Sequence, residues 1–168
     1  VVLFLGSAMF WAAYEQAGSS FNVFATNNTD KVLFGFSFPA SWLQSMNAAF
    51  IICFAAAFAW MWIKLGNRQP GSVAKFSIAM AFATLGFVVM MIAAQRAGAD
   101  GQVSPMWLIV TYLLHTTGEL FLSPVGLSAM TDLAPTRVAG LMMGLWFLSL
   151  SMGNYIAGRL ASFYGGMP

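Results

Sequence analysis

Two carboxylates, Glu15 and Glu119, stand inside long apolar stretches of the sequence. An ionisable side chain deep in lipid costs a few kcal/mol or more, so each calls for a partner or a task. A carboxylate so placed can do two kinds of chemistry. It can pair with a cation, or it can carry a proton, because burial penalises the charged form of an acid. The other acids, Asp30, Asp100 and Asp132, sit in or beside polar links and need no such account.

His115, Glu119, Ser123 and Leu127 are spaced by four and predict one stripe along a helix face. Gly118 admits a neighbouring backbone, and Pro124 removes a helical hydrogen bond. Glu119 is then either the wall of a cavity or a polar residue that glues two helices together. Ser123 and Pro124 beside it favour the cavity. Glu15 shares a face with Trp11 and Ser19, and Gln16 extends the polar patch. Gly18, Ser19 and Ser20 weaken the helix there. The same polar run also fits a position at the outer interface, where a Glu is cheap. After Trp42, which suits an aromatic belt, Gln44 and Ser45 lead to Asn47, which lies deeper and needs a hydrogen-bond partner. Trp146 falls at mid-depth of the last apolar stretch and is read mainly as packing. So are Gly140, Gly144, Gly153 and Gly158 on the same stretch.

Other chemistries find no support. His115 has no Cys, His or Asp beside it to share a metal, and Cys53 is the lone cysteine. There is no Gly-rich phosphate loop, no His-Glu-x-x-His pair and no Gly-x-Ser-x-Gly elbow. Ser123 and His115 lie two turns apart on one helix, so they cannot act as a hydrolase pair. A net charge of +2 is too small and scattered for a nucleic-acid footprint.

The elements that must position these residues follow from composition. Sixty per cent of the 168 residues are apolar and 7% are charged, with sixteen Phe, twelve Met and six Trp. Five Asp/Glu and seven Lys/Arg cannot cover a soluble surface of this size. The fold class expected is an all-α polytopic membrane protein. Five stretches meet the roughly 20 residues a bilayer demands, at about 1–26, 42–63, 73–95, 106–131 and 138–163. Helix is required because an unpaired strand in lipid leaves its backbone groups unsatisfied. The third stretch, with little polar content beyond Ser77 and Thr84, is expected to face lipid. Lys64, Arg68, Lys75 and Arg137 fall on one side, against Lys31, Arg96 and Arg159, which places the Val1 end in the cytoplasm. No charged segment precedes the opening apolar run, so it is not read as a signal peptide. The chain is expected to be a piece of something longer.

Four ordered strings carry a resemblance. They are Phe10-Trp11-Ala12-Ala13-Tyr14-Glu15-Gln16-Ala17-Gly18-Ser19-Ser20, Trp42-Leu43-Gln44-Ser45-Met46-Asn47, and Gly118-Glu119-Leu120-Phe121-Leu122-Ser123-Pro124-Val125-Gly126-Leu127. The fourth is Met143-Gly144-Leu145-Trp146-Phe147 with Gly153-Asn154-Tyr155. Together, over nearly the whole chain, they resemble the C-terminal half of a proton-dependent oligopeptide transporter of the major facilitator superfamily.

The resemblance implies that the five spans are helices 7–11 of that twelve-helix fold, in a bacterial cytoplasmic membrane. The first six helices, the twelfth, and the family's Glu-x-x-Glu-Arg motif would lie outside this chain. It implies proton-coupled symport of di- and tripeptides, with protons as the coupling ion and no other cofactor. The position matching Glu119 receives the peptide amino terminus, helped by that of Asn47. Those of Ser123 and Leu127 line the same cavity, and those of Trp11, Tyr14 and Trp146 shape side-chain pockets. The acid matching Glu15 serves proton coupling and the outer gate. Some members carry a second acid where Tyr14 stands, so the resemblance leaves the proton count open. Two alternatives stay open beside it, a related carrier of nitrate or another non-peptide solute, and a non-transporting membrane scaffold or peptide sensor.

Overall fold

The computed structural model describes residues 2–33, 35–132 and 136–165. Helices dominate because the apolar runs are long, with only short polar links between them. They are α1 (Val2–Tyr14), α2 (Ser20–Asn28), α3 (Ser41–Leu65), α4 (Ser72–Asp100), α5 (Met106–Asp132) and α6 (Ala139–Gly165). Two short strands, β1 (Val32–Leu33) and β2 (Phe36–Ser37), form an antiparallel hairpin between α2 and α3. By length and hydropathy, Ser41–Arg68 and Ser72–Ala99 are apolar enough to cross a membrane. Helices α5 and α6 are 27 residues each, and α5 runs unbroken past Pro124.

The first stretch departs from a single continuous helix. Thirteen residues of α1 rise only about 20 Å, short of a bilayer. A 3₁₀ turn at Glu15–Gly18 then joins α1 to α2. Gly18, Ser19 and Ser20 favour this break, and side chains take up the backbone groups it loosens. The Ser19 hydroxyl donates to the Glu15 carbonyl at 3.2 Å, and the Tyr112 hydroxyl donates to the Ala17 carbonyl at 3.2 Å. Gln16 Nε2 donates to the carbonyls of Ala12 and Ala157 at 3.2 and 3.3 Å.

Two helix pairs build the body. Helix α4 lays the stripe Ala79, Ala83, Gly86, Met90, Ala93 and Ala97 on α5. The alternating steps of four and three keep that stripe on one face. The opposite face of α4 exposes Val73, Leu85, Val88, Met91 and Ile92. So the expected lipid-facing helix is lipid-like on one side only. Helix α1 packs on α6 through Gly153, where an added Cβ would lie 2.8 Å from the Ala8 carbonyl oxygen and 2.6 Å from Trp11 Cβ. A buried hydrogen bond between the Ser149 and Ser7 hydroxyls, 2.8 Å, crosses the same seam.

Gly140, Gly144 and Gly158, read from sequence as a close-packing face with Gly153, have nothing among the described residues within 4 Å of an added Cβ. Of that face, the described residues bring Gly153 alone into close packing. Small residues at helical spacing mark a smooth face, but only a neighbour at the right depth makes it an interface. Overpacking such a seam costs about 1–3 kcal/mol. Gly153→Ala should therefore lower the thermal unfolding midpoint of the detergent-solubilised protein.

Candidate functional site

At the break after Tyr14, polar side chains from α1, α3 and α5 meet. The Tyr14 hydroxyl donates to Glu119 Oε2. Asn47 Nδ2 donates to the Tyr14 oxygen. The same Nδ2 donates to the Thr116 hydroxyl at 2.9 Å. An amide nitrogen only donates, so each proton in this chain has one assigned direction. It runs from Asn47 through the Tyr14 oxygen to the Glu119 carboxylate. Tyr14, Asn47 and Glu119 are all partly buried, whereas Thr116 is fully buried.

Aromatic side chains wall the cluster. Tyr14 stacks on Phe10 with ring centroids 5.8 Å apart and meets Trp11 edge-on at 5.3 Å. Trp146, 6% exposed, lies beneath them in one apolar cluster with Phe10, Ala79, Ala83 and Leu122. The Trp11 indole N–H is buried with no hydrogen-bond partner among the described residues.

His115 sits one turn from Glu119, but its ring turns into packing. It is 1% exposed and boxed by Phe21, Phe87 and Tyr14 at centroid distances of 5.6, 5.4 and 6.3 Å. Gly86 leaves the ring its room, since an added Cβ would collide with His115. Neither ring nitrogen has a hydrogen-bond partner among the described residues.

The expected residues therefore divide. Tyr14, Asn47 and Glu119 are brought into direct contact. Trp11 and Trp146 pack around Tyr14. Ser123 is half-buried one turn beyond Glu119, and the side chain of Leu127 lies outside the described residues. Glu15 is half-buried at the first position of the 3₁₀ turn. Thr116 escaped the sequence reading, although its spacing of three from Glu119 puts it on the same face. Among the described residues, no group of three or more His, Cys, Asp or Glu comes together to hold a metal.

An apolar groove of about 720 Å³ lies on another side of α1, lined by Ala12, Gln16, Phe87, Met90, Ile156 and Leu160 among others. Neither Tyr14, Asn47 nor Glu119 lines it, so it is separate from the polar cluster.

Comparison with known proteins gives the cluster its setting. The family model PTR2, described as the POT family, matches residues 1–167. The chain belongs to the POT family. It is 49% identical over 163 residues to the peptide transporter YePEPT of Yersinia enterocolitica, covering 95% of this chain and 32% of that protein. It is 38% identical over 160 residues to dipeptide and tripeptide permease A of Chromobacterium violaceum, covering 95% of this chain and 32% of that one. Its fold superposes with a TM-score of 0.89 on a crystal structure of peptide transporter POT in complex with sulfate, at 44% identity, over 96% of this chain and 33% of that one. A POT family transporter in complex with a thioalcohol conjugated peptide superposes with a TM-score of 0.85, at 33% identity, over 97% of this chain and 34% of that one. The helical fold is thus that of these major facilitator transporters. The chain spans about a third of the length of the relatives it matches.

Proposed function

We propose that these residues form a portion of the C-terminal half, helices 7–11, of a bacterial proton-coupled symporter of di- and tripeptides. The Val1 end would be cytoplasmic and the missing helices would supply the facing wall of the site. The observation that carries the reading is the Asn47–Tyr14–Glu119 cluster, a carboxylate held by oriented donors where three helices of a POT-family fold meet.

The mechanism follows from charge in a low dielectric. A peptide ammonium leaving water needs a carboxylate, and Glu119 is the one this cluster offers. Asn47 and Ser123 line its approach, with Leu127 one turn on. Trp11 and Tyr14 present aromatic faces that accept varied side chains, and the buried Trp146 packs beneath them and shapes that pocket from behind. Backbone groups are common to all short peptides, so recognition through the ammonium and backbone gives broad specificity. Glu15 carries the coupled proton. Its protonation alters the interactions holding the outer gate, so proton flow biases the inward and outward states around a mid-membrane site.

The test is uptake by the complete transporter in proteoliposomes. An inward proton gradient should drive accumulation of labelled dialanine, which unlabelled dialanine competes away and nitrate does not. Competition by nitrate would favour the non-peptide carrier. Saturable peptide binding without gradient-driven accumulation would favour a sensor.

A further inference from the structure

The hydrogen bond between Tyr14 and Glu119 has a role beyond wall-building. We infer that the Tyr14 hydroxyl, polarised by Asn47, is a built-in stand-in for the substrate's ammonium group, occupying Glu119 until a free amino terminus displaces it. This rests on the transport reading above and adds a competitor within the chain itself.

Three observations carry it. The hydroxyl donates to Glu119 Oε2, the atom type an ammonium would seek. The hydroxyl oxygen already accepts from Asn47 Nδ2, which fixes its proton on the carboxylate side. Asn47 is itself anchored by its 2.9 Å bond to the fully buried Thr116, so the donor does not rotate away freely.

The chemistry favours exchange. Chained hydrogen bonds polarise one another, so this phenol is a better donor than an isolated one. An ammonium still has the advantage, since it adds charge–charge attraction to the hydrogen bond it donates to the carboxylate. An incoming amine therefore wins the carboxylate, because it brings a full positive charge where the phenol brings only a neutral donor. A ligand without a cationic amine has nothing to offer in exchange and meets a closed contact. Tyr14 is thus a specificity-determining residue: it screens for the free amino terminus by being easy for that group alone to displace.

The experiment compares the complete transporter with its Tyr14→Phe variant, using dialanine and N-acetyl-dialanine. With the stand-in removed, KM for dialanine should fall about tenfold or more, the worth of one hydrogen bond to a charged group. Preference for dialanine over its acetylated form should also change, whereas a general packing defect would shift both alike. An unchanged or raised KM for dialanine, in a parent that does take up dialanine, overturns the stand-in and leaves the transport reading standing. A parent that takes up no peptide overturns both. Should Tyr14→Phe fail to fold, infrared difference spectra of the parent decide. Dialanine should shift a tyrosine C–O band and N-acetyl-dialanine should not. No shift with dialanine removes the inference.

Discussion

Replacing Glu119 by Gln lowers dialanine uptake by the complete transporter about 10- to 100-fold, the size of a lost charged hydrogen bond of about 1.5–3 kcal/mol. The substitution separates charge from shape. The Gln carbonyl oxygen still accepts the Tyr14 proton, so the cluster keeps its donors and the protein its thermal stability. What disappears is the negative charge that compensates an ammonium for leaving water. Initial-rate uptake in proteoliposomes, with unfolding measured alongside, reads both halves. Uptake equal to the parent's would remove Glu119 from amine recognition.

Glu15→Gln is expected to act at a different step. The variant should still exchange labelled for unlabelled dialanine at symmetric pH, but an inward proton gradient should no longer concentrate the peptide. The steady-state ratio should fall to about one, since each pH unit of gradient supplies about 1.4 kcal/mol per coupled proton and the amide takes up none. The position supports this separation. Glu15 opens the 3₁₀ turn between α1 and α2, and its carbonyl is held by Ser19 independently of its side chain. Gln should keep the turn and lose only the titrating oxygen. Gradient-driven accumulation that survives in Glu15→Gln would place the coupled proton elsewhere.

Much of this arrangement is legible in the sequence, for physical reasons that also mark the limit. Long apolar runs with polar links admit little but helices in lipid, and α3 to α6 follow them within a few residues. Gly18, Ser19 and Ser20 flagged a weak helix, yet the 3₁₀ turn depends on Tyr112 from α5 and Ala157 from α6, which no local pattern reveals. Asn47 announced a need for a partner through its depth, and the partners came from two other helices. Tyr14 was singled out only by resemblance; its role as hydrogen-bond relay requires the crossing of α1, α3 and α5. The Ala79–Ala97 stripe on α4 looked like lipid surface because Ala and Gly are apolar wherever they face, and only the nearness of α5 makes it a seam.

The attachment of α3 has a mechanical consequence. Among the described residues, the α1–α6 and α4–α5 pairs are each locked by small residues at close range, whereas α3 leans mainly on α5 and is tied at Asn47. From Asn47 to Lys64, seventeen residues of helix make a lever about 26 Å long. A tilt of about 5° pivoting at the Asn47 end sweeps the Lys64 end through about 2 Å, enough to separate surfaces in van der Waals contact. Should a change of hydrogen-bond partners at the Asn47 end tilt α3, the Lys64 end would move furthest.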